Sequence, residues 1–279
     1  MKRICSFLLC LGLFFSQTSL VNAGNNKVNL SISKEISYYG EVLNGKPNGQ
    51  GTMKWGAYKS YLGSWKNGKR SGYGKFVIID YSQAEKDFDG RMDNVRTTTY
   101  IGQWNEDMKN GEGILTDKVN AFHSGNQDDL IQKGQFKNNV FIKGNEVHTY
   151  WNNYSDFLYK DDSINVSFQT SDDIQDLYQD TYNLDYEEFN DLEEIIDYGA
   201  YENLTFQSKS TGITYKYAHL LDNEYGAFTI TRTKYVNNKM VEELVTDAEV
   251  DNINMSREIE RKLQPYLKGF ELTLKMLYQ

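Results

Sequence analysis

The sequence predicts a mainly β N-terminal half, an elongated antiparallel sheet of tandem β-hairpins, followed by an α+β C-terminal domain. Three observations carry this prediction. A glycine-and-aromatic pattern recurs through residues 38–113, apolar and polar residues alternate within 203–236, and an apolar stripe at helical spacing runs through 255–278. Alternation with period two is typical of strands, whereas steps of three and four residues are typical of a helix.

The first residues have the features of a secretory signal peptide. Lys2 and Arg3 precede an apolar run from Ile4 to Phe15, and Ala23 supplies a small residue at a cleavage site. The run is shorter than the roughly 20 residues that span a bilayer. We therefore expect cleavage after Ala23 and a secreted or cell-envelope protein, with an uncleaved anchor as the alternative.

Cysteine content and charge limit the kinds of structure and chemistry that the rest of the chain can have. Both cysteines, Cys5 and Cys10, lie in the predicted signal peptide, which excludes disulfides and cysteine nucleophiles from residues 24–279. An exported chain without disulfides favours a bacterial source. Residues 24–149 hold 17 basic and 14 acidic residues, a net charge of +3, whereas residues 150–279 hold 11 and 25, a net charge of −14. This change in net charge predicts a domain boundary near Tyr150.

A repeated hairpin unit is clearest at residues 61–74. Its first strand alternates Tyr61, Gly63 and Trp65 with other residues, and Asn67-Gly68 supplies the positive φ angles of a tight reversal. Because glycine weakens a strand, its recurrence predicts close backbone approach or a ring lying over the bare Cα. The residues predicted to build the repeats are Tyr38, Gly40, Gly45, Gly49, Gly51, Tyr61, Gly63, Trp65, Gly68, Gly72, Gly74, Tyr100, Gly102, Trp104, Gly111 and Gly113.

The pattern resembles the MORN ("membrane occupation and recognition nexus") repeat over residues 38–118, with an extension to about 145. Val42 departs from the expected Trp of the first unit, and Asp107-Met108 replaces Gly-Lys in the third. Residues 80–98 form an insertion between the second and third units. A fourth unit around Phe136 has lost its later glycines and is predicted to cap the array, since end repeats are commonly atypical. The resemblance implies an elongated, twisted antiparallel sheet.

Repeat arrays offer long surfaces that typically serve recognition. We interpret the repeat aromatics as packing residues of the sheet rather than as an exposed groove for a peptide or glycan. Residues 38–76 also hold seven basic residues against the single acid Glu41. The alternatives for this basic surface are a solvated face, a complement to the acidic half, and a face that binds anionic lipid or cell-wall polymer. The candidate anion-binding residues are Lys46, Lys66, Lys69 and Arg70.

The second half is acidic and mixed in structure. Apolar residues at steps of three and four among the acids of 171–200 predict helices at 172–182 and 185–199, whose carboxylates are interpreted as solvated faces. Strands are expected at 203–209, 212–220 and 226–236, and Asn237-Asn238 marks a turn. A final helix over 255–278 should be kinked or restarted by Pro265. Its stripe, predicted to dock on the sheet, is Ile259, Leu263, Leu267, Phe270, Leu274 and Leu277.

No residue set with defined catalytic roles is apparent. His123, His148 and His219 have no ligand-like spacing, no nucleophile or phosphate-loop motif occurs, and the carboxylates lack the order of a calcium loop. We therefore predict a non-catalytic protein without metal or cofactor that binds a protein partner or itself, but not nucleic acid. An envelope module for anionic lipid or cell-wall polymer is the alternative, and glycoside hydrolysis by paired carboxylates in the C-terminal half is a minor one.

Overall fold

The computed structural model describes residues 27–86, 90, 92–120, 128–150, 155–170, 192–197, 201–221, 228–246 and 249–278. The predicted signal peptide, the predicted helix 172–182 and His123 lie outside these residues. Of the predicted helix 185–199, the described part is α1 (Leu192–Asp197).

In the described part of the chain, fifteen strands form a single antiparallel sheet in which neighbours in space are neighbours along the chain. The repeat half supplies β1 (Val28–Ser31), β2 (Ile36–Leu43), β3 (Lys46–Trp55), β4 (Lys59–Lys66), β5 (Lys69–Asp80), β8 (Val95–Asn105), β9 (Met108–Asn120), β10 (Asp128–Lys137) and β11 (Val140–Tyr150). The second half supplies β12 (Ser155–Lys160), β13 (Ile164–Thr170), β14 (Tyr201–Ser208), β15 (Ile213–Leu221), β16 (Phe228–Val236) and β17 (Lys239–Val245). The predicted fold class is confirmed.

The predicted alternation and turns are present in the repeats. In β4, Tyr61, Gly63 and Trp65 are buried whereas Leu62 is exposed. Asn67 and Gly68 both have positive φ, 52° and 84°, as Asn44 and Gly45 do at the equivalent turn. These angles match the right-handed twist of the strands and allow a two-residue connection.

The predicted insertion at 80–98 is too long. Residues 95–98 begin β8. All four pair with β9, as Thr98 does with Asp117, and residues 96–98 also pair with β5, as Thr97 does with Ile79. The segment that leaves the sheet holds a two-stranded hairpin of its own, β6 (Glu85–Lys86) and β7 (Met92–Asp93). The strands are therefore longer than the repeat motif alone indicated.

The sheet continues beyond the repeats, so the predicted cap was wrong. β11 pairs with β12 across the predicted boundary near Tyr150, with Thr149 opposite Ser155, and the edges of the sheet are β1 and β17. Strands β12 and β13 were not anticipated, although Phe157 and Phe168 face one another on the buried side. The strands expected at 203–236 are present as β14, β15 and β16.

A long helix, α2 (Glu249–Tyr278), covers one face of the second half. It continues through Pro265, so the predicted restart does not occur. Leu263 and Leu267, one turn apart on either side of Pro265, are both buried against the same sheet face. The helix begins six residues before the predicted start at 255, and the whole predicted stripe is buried, as expected.

The sheet is buried on opposite faces in its two halves. The repeat core contains Tyr38, Met53, Tyr61, Trp65, Tyr100, Trp104, Phe136 and Phe141. The helix-side core joins α2 to residues of β10–β16. In β9, Leu115 packs on the repeat core and the adjacent Ile114 packs on the helix-side core. Since successive side chains of a strand point to opposite faces, the two cores lie on opposite sides of the sheet.

Candidate functional site

Glycines form a continuous row across the repeat sheet. From β2 to β11 the paired residues are Gly40, Gly51, Gly63, Gly74, Gly102, Gly113, Gly134 and Gly144. A Cβ on Gly63 would lie 2.5 Å from the Cα of Gly74, and the equivalent pair Gly40 and Gly51 is as close at 2.4 Å. The fourth unit also belongs to this row, through Gly144. The incomplete glycine pattern of this unit did not reveal that position in the sequence.

Because the glycines have no side chains, the row forms a groove on the sheet, and the repeat tyrosines lie in it. A Cβ on Gly74 would lie 2.4 Å from Cζ of Tyr61, and the Tyr61 hydroxyl donates to the Ser64 carbonyl at 3.0 Å. Tyr38 and Tyr100 make the same two contacts: each ring lies over a glycine of the return strand, and each hydroxyl donates to the carbonyl three residues later in its own strand. Burial raises the pKa of Tyr61 to about 12. The ring faces and hydroxyls of these tyrosines are thus engaged within the sheet.

The tryptophans join each unit to the one before it. Trp65 Nε1 donates to the Gly51 carbonyl at 3.1 Å, and Trp104 Nε1 donates to the Gly74 carbonyl at 3.2 Å. Edge-to-face contacts extend the series, with ring centroids of Tyr61 and Trp65 at 5.0 Å and of Tyr61 and Trp104 at 5.5 Å. Such pairs add stability beyond their buried area.

The remaining repeat glycines lie where the backbone is left-handed. Gly45 and Gly68 occupy the hairpin turns, at φ of 72° and 84°. Gly49, Gly72 and Gly111, at φ of 97°, 76° and 103°, follow the turns in β3, β5 and β9. At Gly72 the pairing register between β4 and β5 shifts, and at Gly111 the register between β8 and β9 shifts. A side chain at these positions would be strained whatever the surrounding space.

The third turn shows why a departure from the repeat pattern is tolerated. Glu106 and Asp107 both have positive φ, 49° and 70°, without a glycine. Asp107 Oδ1 accepts from the backbone nitrogen of Arg70 and from its Nε, each at 3.0 Å. In the fourth turn Asn139 does the same for the backbone nitrogen of Lys109 at 2.8 Å. The side-chain oxygen thus adds bonds to the preceding hairpin that glycine cannot make.

Two of the four candidate anion-binding residues are engaged by acidic neighbours. Arg70 pairs with Asp107 and its guanidinium lies 4.2 Å from the ring centroid of Trp104. Lys69 pairs with Glu106 at 3.5 Å. Lys46 and Lys66 are exposed at the turn edge of the sheet. Acidic side chains of this chain therefore already pair with part of the basic surface.

A polar network that the sequence did not predict surrounds His148. Its Nε2 contacts Asp128, and its Nδ1 lies 2.7 Å from the hydroxyl of Tyr150, which donates to Asp156 at 2.9 Å. Burial and the Asp156 carboxylate raise the pKa of Tyr150 to about 12. Strand pairing, which motif spacing does not show, brings these residues together. Within the described ranges, no group of three or more His, Cys, Asp and Glu is arranged to hold a metal.

The face opposite the repeat core is uncovered among the described residues, and we call it the open face. One row of paired residues crosses it through Tyr39, Thr52, Leu62, Lys75 and Ile101 from β2 to β8. Leu62 is 59% exposed, and Tyr73, which projects on the same side of β5, is 63% exposed. The row continues to Ile114, which is already packed on the helix-side core. The open face and the helix-covered face are therefore one surface.

Comparison with known proteins agrees with this hairpin geometry. A family model for the MORN repeat matches residues 38–57, 61–83 and 100–119. Residues 38–119 carry three MORN repeats. The chain is 38% identical over 77 residues to MORN repeat-containing protein 3 of Xenopus laevis and 32% identical over 83 residues to human alsin. These matches cover 27% and 30% of this chain, but 28% of the Xenopus protein and 4% of alsin.

MORN repeats commonly bind proteins or membranes and are generally non-catalytic. In this MORN array the aromatic side is filled by its own packing, whereas Leu62 and Tyr73 on the open face are exposed among the described residues. No helix in the described part of the chain is both long and apolar enough to cross a bilayer.

Proposed function

We propose that the chain is an exported, non-catalytic MORN-repeat scaffold that binds protein through its open face. One observation carries the proposal. The repeat aromatics are buried and hydrogen-bonded on one side of the sheet, and Tyr39, Leu62 and Tyr73 are at least half exposed on the other. Exposed apolar residues grouped on one surface are typical of an interaction site.

Site-specific photo-crosslinking tests the proposal. A photoreactive amino acid at position 62 should form protein adducts in the producing cells, because this position lies within the open face. The same amino acid at Val241 is a matched control, since Val241 on β17 is also 59% exposed. Adducts at both positions in equal yield, or at neither, would refute a binding site on the open face.

Export has its own test. Mass spectrometry of the protein from its native source should give a chain that begins at Gly24, since Ala23 is the small residue at the expected cleavage site. A chain that retains Met1 to Ala23 in the soluble fraction would contradict export by cleavage.

A second candidate function is binding to anionic lipid or cell-wall polymer, which the exposed Lys46 and Lys66 favour. Such binding should weaken with salt because it depends on charge. Co-sedimentation with acidic liposomes and with peptidoglycan at low and high salt distinguishes the two functions. The double variant Lys46→Glu, Lys66→Glu should abolish sedimentation, and an absence of binding by the unaltered protein at low salt would eliminate this candidate.

A further inference from the structure

We propose that the open face binds the open face of a second copy, so that the protein forms a symmetric dimer with two stacked sheets. This inference rests on the proposed function, because it names the partner of the same surface. Its starting point is that α2 covers only part of one side of the sheet.

The position of α2 defines where the cover ends. Its N-terminal part lies at β16, where Arg232 pairs with Glu258 at 2.8 Å. At its C-terminal end the carbonyl of Leu277 accepts from Lys118 of β9. The helix therefore crosses the sheet from β16 to β9 and leaves β1–β5 and β8 without a second layer among the described residues.

The uncovered area is large enough for a stable interface. Five strands, β2–β5 and β8, at about 4.8 Å spacing and eight residues at about 3.4 Å per residue give a footprint of roughly 650 Å². Standard protein interfaces bury about 600–1,000 Å² on each partner. A second sheet, packed at about 10 Å, would occupy the same layer that α2 fills over the rest of the surface.

The residues of the open face are compatible with a twofold axis along β4. Strand order is then reversed in the partner, so that Leu62 faces its own copy, Tyr39 faces Ile101 and Thr52 faces Lys75. In the neighbouring row Lys54 faces Val77. No like charges are opposed in these pairs, and the apolar members of the central row meet one another. An isologous contact of this kind closes as a dimer.

Sedimentation velocity of the purified full chain tests the inference. The unaltered protein should sediment as a dimer, and Leu62→Glu should raise the dimer dissociation constant by roughly 100-fold or more, since it places two facing carboxylates in a desolvated contact. The control Val241→Glu should leave the constant unchanged. Matching circular dichroism spectra of the three proteins would show that the fold is retained, since loss of the dimer by itself lowers the urea midpoint.

A second measurement does not depend on a disruptive variant. With Cys5 and Cys10 changed to serine, Leu62→Cys should be joined to its own copy by a short bis-maleimide, because the residue lies on the axis, whereas Val241→Cys should not. A monomer at the highest attainable concentration, a dimer unaffected by Leu62→Glu, or a dimer broken only by Val241→Glu overturns the inference. If the purified chain is monomeric but position 62 crosslinks to other proteins in cells, the inference fails and the proposed function stands.

Discussion

Replacing Gly74 by alanine should show how strictly the repeat depends on bare backbone. A Cβ at this position would lie 2.3 Å from the Tyr61 hydroxyl oxygen and 2.4 Å from Cζ of the same ring. The ring must move, and it is fully buried between Trp65 and Trp104. The alanine therefore disturbs contacts within one unit and between two.

The magnitude follows from three contributions. Overpacking a close-packed site costs about 1–3 kcal/mol. A displaced Tyr61 hydroxyl that loses its bond to Ser64 costs about 1–3 kcal/mol more. Reduced freedom of the unfolded chain returns about 0.4–1 kcal/mol. We expect Gly74→Ala to lower the free energy of unfolding by about 2–4 kcal/mol, measured by urea unfolding with tryptophan fluorescence.

A double-mutant cycle with Tyr61→Leu identifies the cause. Leucine lacks the hydroxyl, Cζ and Cε2 atoms that the new Cβ would meet. Gly74→Ala should therefore cost little in the Tyr61→Leu background, and the coupling should be about 2–3 kcal/mol. Gly45→Ala is a further control, because nothing lies within 4 Å of its Cβ and only the left-handed φ of 72° is strained. An undiminished cost of Gly74→Ala in the Tyr61→Leu background would refute ring displacement as the reason for the glycine.

Three further predictions concern charge and ionisation. Asp107→Gly should destabilise the protein by about 1 kcal/mol in urea unfolding although it restores the repeat pattern, because two bonds to Arg70 are lost; equal or higher stability would contradict this role. Burial raises the pKa of Glu258, but hydrogen bonds from Tyr217 and Lys262 and the charges of Lys262 and Arg232 together hold this pKa below its ordinary value. Stability from this carboxylate is present above the ordinary pKa of about 4.3 and is lost as the pH falls further, so Glu258→Gln should flatten the acid limb of a denaturation curve. Burial raises the pKa of Tyr100 to about 12, so its contribution is complete below pH 10 and lost as the pH rises through 12. Absorbance at 295 nm should show a late tyrosinate step to which Tyr61 and Tyr150 also contribute, and Tyr100→Phe should reduce its amplitude.

The repeat half could be predicted closely because its information is local. Tyr61, Gly63 and Trp65 alternate within one strand, and Asn67-Gly68 specifies its own turn, so period and turn chemistry fix each hairpin. The amphipathic stripe likewise predicted that α2 docks on the sheet. A restart at Pro265 was not found, because apolar residues on both sides of the proline pack on one surface.

The other features depend on pairing between distant strands. The alternation of β12 and β13 was present in the sequence, but the change of charge near Tyr150 drew attention to a boundary rather than to continued pairing. The His148 network joins residues of β10, β11 and β12, whose register a spacing motif does not contain. The open face is defined by what α2 leaves uncovered, which depends on where the helix ends.

The segment between β5 and β8 shows that the sheet can accept a long connection between two strands without a change in their pairing register. Trp104 reaches back 30 residues to the Gly74 carbonyl, whereas Trp65 reaches back only 14 residues to Gly51, yet the two bonds differ by 0.1 Å. The segment leaves the sheet after Asp80, at the strand ends opposite the hairpin turns, and returns at Val95 beside the point where it left. A fluorescent protein or affinity tag placed there should be carried without disturbing either core, which makes the loop a convenient grafting point for locating the protein in cells.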